Sequence, residues 1–291
     1  MREEVSAERS YKLAPEEQSF YAEKGFFFPQ RILNTEEANR FHTRFQEYMD
    51  QNAHRLSSLL QRDRRVYFSD THLFLEWVYR IVSHPSILDA VESVLGPNIL
   101  VWGSQWFPKM PEDRAYVSWH QDGTYWGLHP PNVTTAWIAV SESTPENGCM
   151  RVVPGTHKTP KLPQRETYAP DNMLSRGQEI AVEVDEAQAV DLILQPGEMS
   201  LHHIGIVHGS GPNNSSRARI GLAVRYIGPE VMQDGSARDI AMLVRGKDDH
   251  GHFDLAEPPE RDSSPEESSI HAEALRRKAT NTLPKDAPGP K

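Results

Sequence analysis

The first third of the chain repeats its apolar residues at helical spacing. Residues 15–24 (PEEQSFYAEK) carry Pro at an early position and two Glu in the first turn, and Gly25 follows as a stop. Asn34 and Glu37 have the spacing of a capping box. Behind them Ala38, Phe41, Phe45 and Met49 form one apolar stripe, which predicts a long helix to about Gln61. Two further helices, 72–82 and 86–95, are predicted on either side of Pro85, with Gly96-Pro97 closing the second. Then the period changes. The runs 99–107, 134–141, 150–153, 180–184, 189–194, 198–207 and 220–227 are short, β-branched or aromatic, and punctuated by Gly, Pro and Asn. Helices first and strands afterwards, without alternation, speak against a doubly wound parallel sheet. They predict an α+β chain with a mainly β core, an antiparallel sandwich or barrel.

Residues 256–291 are rich in Pro, Glu, Asp, Ser and Lys and poor in large apolar side chains. They are predicted to be mostly disordered, with a short helix at 271–278. The folded unit is then one domain over 1–255, with helices across 15–96 and the β core across about 97–230. The formal charge of −10, from 31 Lys and Arg against 41 Asp and Glu, suits no broad contact with a phosphate backbone, so no nucleic-acid partner is expected. No run approaches the roughly 18 apolar residues of a membrane span, and the stretch MREEVSAERSYKL lacks the apolar core of a signal peptide. A cytoplasmic protein with no membrane partner is expected. The one cysteine, Cys149, agrees, since it cannot form an internal disulfide. Nothing in the sequence fixes an oligomeric state.

Chemistry enters with His120-Gln121-Asp122. On an extended segment residues two apart point to one side, so an imidazole and a carboxylate face the same point. A third ligand would complete a 2-His-1-carboxylate face with open positions, the arrangement of non-haem Fe(II) oxygenases. The triplet alone fits a surface loop equally well. The run 198–207, however, ends in His208-Gly209-Ser210-Gly211-Pro212-Asn213, at the mouth of the predicted barrel. Arg217, Arg219 and Arg225 follow. A guanidinium grips a carboxylate in bidentate fashion, so an Arg behind a metal site suits a small dicarboxylate or keto acid. Arg217 and Arg225 are read as solvated surface charges.

With these motifs in this order the chain resembles the phytanoyl-CoA dioxygenase family of Fe(II)/2-oxoglutarate-dependent oxygenases over roughly 15–229. The matching residues are His120-Gln121-Asp122, the turn Asn147–His157 (NGCMRVVPGTH), and His208–Asn213 with Arg219 eleven positions after His208. The stretches Tyr21–Phe28 and Asn34–Arg40 are also similar to the family's N-terminal helices. The resemblance implies a double-stranded β-helix (a cupin-like jelly roll) flanked by N-terminal helices. It implies Fe(II) on His120, Asp122 and His208, 2-oxoglutarate as cosubstrate and O2 as oxidant, with no catalytic residue beyond the metal ligands. Arg219 would pair with the distal carboxylate of 2-oxoglutarate, Ser210 would hydrogen-bond nearby, and Gln105 and Trp137 fall where the family places cosubstrate contacts. The implied activity is oxidation of a substrate C–H bond, in the first instance hydroxylation, with release of succinate and CO2. Related halogenases replace the carboxylate by a small residue, so Asp122 favours oxygenation.

The substrate-facing candidates are Tyr125, Trp126, His129 and Lys109, with Lys109 placed to meet a substrate or a cosubstrate anion, and the partner expected is a small metabolite or natural-product intermediate. An acidic chain lends no support to acyl-CoA, a polyanion. His202 and His203 are read as packing residues, His157 as a backbone-bonded turn residue, and 158–179 as a loop of lid-like length. Two other readings stand beside this one. A cupin-like metalloenzyme that does not use 2-oxoglutarate would have no need of Arg219 and Ser210. A non-catalytic small-molecule binding protein on the same barrel would have no need of the triad.

Overall fold

The structure, a computed structural model, describes residues 11–59 and 64–282. Its helices are α1 (Pro15–Lys24), α2 (Thr35–Ser57), α3 (Arg65–Phe68), α4 (Glu76–Val82), α5 (Pro85–Leu95), α6 (Gly123–Trp126) and α7 (Pro265–Thr282). Its strands are β1 (Phe26–Arg31), β2 (Ile99–Trp106), β3 (Val117–His120), β4 (Leu128–His129), β5 (Val133–Ala139), β6 (Arg151–Val153), β7 (Gln164–Glu166), β8 (Gln178–Ile180), β9 (Val190–Asp191), β10 (Glu198–His203), β11 (Val207–Ser210), β12 (Gly221–Ile227), β13 (Met232–Gln233), β14 (Ile240–Arg245) and β15 (Asp254–Leu255). A seven-stranded sheet runs β1-β10-β5-β12-β2-β14-β15, and a four-stranded sheet runs β3-β11-β6-β9. All pairings in both are antiparallel except β14 with β15. This is the mainly β core with N-terminal helices that the pattern predicts.

The helical layer forms for the reasons its sequence gives. Asn34 Oδ1 accepts from the Glu37 amide at 2.9 Å and Glu37 Oε2 from the Asn34 amide at 2.9 Å, so the capping box closes in both directions. The stripe of α2 buries Ala38, Phe41, Phe45 and Tyr48, with Met49 partly covered. Phe45 reaches the Trp106 ring of β2, centroids 4.5 Å apart, which joins helix layer to sheet. The helix stops at Ser57; the expected extension to Gln61 falls partly on residues outside those described. Among the described residues no helix is long and apolar enough to cross a membrane.

The expected strand 198–207 is two strands. β10 pairs with β5 in the large sheet, the chain turns through Ile204–Ile206, and β11 pairs with β3 and β6 in the small sheet. Gln121 Nε2 donates to the Gly205 carbonyl at 2.7 Å and holds the turn. A single apolar run conceals this because both halves are buried, and burial does not record a change of sheet. The run expected at 180–184 lies earlier, at Gln178–Ile180, where it forms a hairpin with β7.

The expectation of a disordered tail is overturned for residues 265–282. There α7 docks Ala274 and Ile270 against Leu73, Ile240 and Met242. Its polar side chains do the rest: Lys278 Nζ lies 2.8 Å from Asp70 Oδ2 and 2.6 Å from the Trp102 carbonyl. Asn281 Nδ2 donates to Asp239 at 2.7 Å. Composition misleads because the docking face is small and held largely by polar contacts. The part of the expectation on 283–291 lies outside the described residues.

Under α7 sits His72, fully buried, its Nδ1 2.8 Å from Ser104 Oγ. Burial pushes it down from 6.5 to about 3. Between those values the unfolded chain binds a proton that the folded chain refuses. Stability therefore falls as pH drops through that window, by up to about 1.4 kcal/mol per pH unit from this group. Burial lowers His203 to about 4, with the same sign. Urea midpoints between pH 7 and pH 4 should decline, and His72→Asn should make the decline shallower. An unchanged slope in that variant would contradict a neutral, buried His72.

Candidate active site

The pairing of β3 with β11 sets His120 opposite His208, ring centroids 4.1 Å apart. Asp122 follows β3 directly, at the start of α6. His120 Nε2 lies 3.3 Å from Asp122 Oδ1, and His208 Nε2 lies 4.0 Å from Asp122 Oδ2. One ligand atom from each of the three falls within 4.8 Å of the others, and all three residues are buried. His120 Nδ1 is 2.9 Å from the Ser118 carbonyl, and His208 Nδ1 is 3.1 Å from the Ile206 carbonyl. A carbonyl only accepts, so both Nδ1 atoms carry hydrogen, which turns both Nε2 atoms toward Asp122, where a metal could take them as ligands. Two imidazoles and a carboxylate on one side of an open space form a donor set that fits Fe(II).

The electrostatics agree. Burial alone would raise the Asp122 carboxyl, but the His120 contact, the neighbouring His208 and the Arg225 charge outweigh it and hold it well below the usual range. His208 is pushed down to about 4, first by burial and then by His120. His202, third in this group, is 4.0 Å from Asp122 Oδ2 and stacks on His208 at 4.8 Å. Burial, then His208, pushes it far below 6.5, so it stands neutral beside the triad.

From the triad a narrow cavity runs past Met150, Trp137 and Ser210 to Arg219. Arg219 is 2% exposed. Its Nη1 donates to the Gly148 carbonyl at 3.0 Å and its Nη2 to the Phe107 carbonyl at 3.2 Å; its Nε is buried without a partner. The guanidinium lies 5.1 Å above the Trp137 ring. That ring can cross the strand only because residue 221 is glycine: a Cβ there would sit 2.0 Å from Trp137 Cζ2. A bridge between the backbones of Lys109 and Arg219 sets a second cation alongside. Lys109 is 0% exposed, and its Nζ is 2.7 Å from Ser210 Oγ and also contacts the Gly211 carbonyl. Burial and Arg219 push Lys109 well below its ordinary value, and burial lowers Arg219 to about 10. Among the described residues neither cation has a carboxylate partner. Buried charges without a partner are costly, so this end of the cavity is built to receive an anion.

Other expected residues separate. Tyr125 and Trp126 line a second, outer cavity of about 480 Å³ that meets the first at Phe107, Asp122, Leu174 and Arg225. Gln105 pairs with Ala223, as Trp137 does, and so shares its face of the sheet; its amide lies on the outer cavity and accepts from Ser69 Oγ at 2.5 Å. Of the two places open to Lys109, the substrate wall is the one it leaves: the bridge to Arg219 carries it to the Arg219 end. His129 is corrected. It sits on β4 beside β13, its Nδ1 3.3 Å from Asp234 Oδ1 and its side chain 45% exposed, and it lines neither cavity. Arg217 is an exposed partner of Glu142 at 2.7 Å, as expected. Arg225 is not the surface charge expected: its Nε is buried and it lines both cavities. Strand alternation carried the signal, since Gly221, Ala223 and Arg225 share one face of β12.

The family model for phytanoyl-CoA dioxygenase (PhyH) matches residues 21–221. The chain belongs to the phytanoyl-CoA dioxygenase family. It is thereby an oxygenase of the Fe(II)- and 2-oxoglutarate-dependent class. Peroxisomal phytanoyl-CoA dioxygenase of Bos taurus is 27% identical over 262 residues, 81% of this chain and 77% of the bovine protein. A solved structure of the non-heme monooxygenase ThoJ without ligands is 35% identical, with a TM-score of 0.79 over 91% of this chain and 96% of that one. CytC3 with Fe(II) and alpha-ketoglutarate shares the fold at 23% identity, with a TM-score of 0.63 over 88% of this chain and all of the other. The family match covers the triad and reaches Arg219 at its end, and Arg225 falls beyond it.

Proposed function

We propose that this oxygenase hydroxylates an unactivated C–H bond of a small metabolite or natural-product intermediate. His120, Asp122 and His208 hold Fe(II), and Arg219 holds the distal carboxylate of 2-oxoglutarate. The observation that carries the reading is the buried Arg219 beside the buried Lys109, with no carboxylate between them and an open path to the triad. Iron with 2-oxoglutarate and O2 supplies the oxidising chemistry, which releases succinate and CO2. The chain's own residues position the reactants. Backbone carbonyls fix both imidazoles in the metal-binding tautomer, and Trp137 and Arg219 define the cosubstrate's far end. Ser210, bonded to Lys109, offers its hydroxyl beside them.

Apolar walls supplied by Phe107, Met150 and Leu174 limit water between the two cavities. The outer cavity falls within the range of small-ligand sites. A cosubstrate-free cupin would leave the paired cations without a purpose. The purified protein should bind one iron per chain and form succinate from 2-oxoglutarate in an O2-dependent manner. Asp122→Ala should lower both iron affinity and succinate formation by at least about 100-fold. Succinate formation that survives Asp122→Ala undiminished would count against the assignment.

A further inference from the structure

The outer cavity lies between the ends of β2 and β12, α6, the segment around Leu174 and α7. It has an aromatic side and a basic side. Trp102 and Trp126 pack at a tilt with centroids 5.2 Å apart, and Tyr125 lies on the same cavity. Among the basic residues on its lining, Lys278 holds Asp70 at 2.8 Å and Arg176 holds Glu166 at 2.8 Å. Arg225 differs. Among the described residues it makes no side-chain hydrogen bond and no ion pair, and its buried Nε has no partner. Its guanidinium carbon lies 5.3 Å from the centre of the Trp126 ring, a cation–π contact that leaves its N–H groups for a ligand. It stands where the outer cavity opens onto the triad.

Asp122 first and Asp70 second partly offset the cost of burying Arg225, but neither bonds it, so its N–H groups at the cavity remain for an external anion.

We propose that Arg225 anchors the substrate through a carboxylate, and that the substrate is a cyclic, otherwise apolar carboxylic acid. The inference rests on the oxygenase reading above and names the substrate class of the same site. The ring system packs on Trp126 and Tyr125, and the acid group on Arg225 sets which carbon faces the triad. Arg presents a planar fork that matches a carboxylate, and the Trp126 and Tyr125 rings offer flat apolar faces for a ring system.

The test uses pairs of cyclic acids and their primary amides: indole-3-acetate with indole-3-acetamide, cinnamate with cinnamamide, and cyclohexanecarboxylate with its amide. Binding is read by calorimetry on the full chain without iron, in excess 2-oxoglutarate to keep the probes from Arg219. It is read again under nitrogen, as a change in the visible band of the protein with Fe(II) and 2-oxoglutarate. At least one acid should bind about tenfold or more tightly than its amide. Arg225→Gln should weaken that acid by about 30-fold or more and its amide by less than about threefold, and Arg225→Lys should retain part of the preference. Arg219→Gln should instead lose 2-oxoglutarate and keep the preference for the acid. If the unaltered protein shows no preference for any acid, or if Arg225→Gln weakens acid and amide alike, the proposal is overturned. Absence of the visible band in the unaltered protein would count against the oxygenase reading, and the iron-free calorimetry would still decide the role of Arg225.

Discussion

Arg219→Ala should weaken 2-oxoglutarate binding by about 30-fold to several thousand-fold, or about 2–5 kcal/mol, and leave iron binding nearly unchanged. The size follows from the surroundings of the guanidinium. It is buried, its Nε has no partner, and its two other contacts are to carbonyls rather than to a carboxylate. An incoming dicarboxylate would therefore meet a cation already stripped of water and fixed over Trp137. Some affinity should survive through Lys109, which stays beside Ser210. Arg219→Lys should recover only part of the loss, because an ammonium cannot reproduce the planar fork. Arg217→Ala should have almost no effect, since Arg217 is 64% exposed by side chain and engaged by Glu142. Equilibrium dialysis of labelled 2-oxoglutarate decides this. Equal losses from the Arg217 and Arg219 variants would remove Arg219 from the site.

Lys278→Ala should destabilise the fold by about 3–5 kcal/mol, the usual cost of removing one partner of a buried ion pair. The carboxylate left behind, Asp70, is 3% exposed and also accepts from the Ser104 amide at 2.9 Å. Burial by itself would raise the Asp70 carboxyl, but Lys278 and the Ser104 amide outweigh that and keep it below its usual value. The lysine also caps the Trp102 ring at 4.6 Å, so its loss loosens one wall of the outer cavity. Ending the chain after Leu255 should cost at least as much, because it also removes Ala274 from the cluster with Leu73 and Met242. Urea unfolding measures both effects. Asp70→Asn combined with Lys278→Met should restore much of the loss, since no charge is then left unpaired. A midpoint unchanged by Lys278→Ala would show that α7 is not held as described.

What could be read from the sequence was what local chemistry dictates. Pro15 and Gly25 bound α1, Asn34 and Glu37 cap α2, and the His-Gln-Asp spacing puts His120 and Asp122 together. His208, Ser210 and Arg219, which the family motifs single out, line one cavity. The errors arose where the outcome depends on distant partners. Lys109 is a solvated residue type by composition, and only its bridge to Arg219 explains its burial. His129 follows the triad closely in sequence, but its pairing with Met232 turns it to the exterior. The hydrophilic α7 docks because Asp70 and the Trp102 carbonyl, some two hundred residues earlier, wait for one lysine. Arg225 was legible by period-two counting from Gly221, but a charged residue in a strand reads as surface until its face is known to line a cavity.

Iron held by His120, Asp122 and His208, in a space shared with a 2-oxoglutarate whose far end meets Arg219, would show in the visible absorption of the purified protein under nitrogen. Addition of Fe(II) and then 2-oxoglutarate should produce a weak metal-to-ligand charge-transfer band that saturates at one iron per chain. The band should be absent from His208→Ala, and in Arg219→Ala it should require far more 2-oxoglutarate. A folded, unaltered protein that shows no band with both present at saturating concentration would contradict the account.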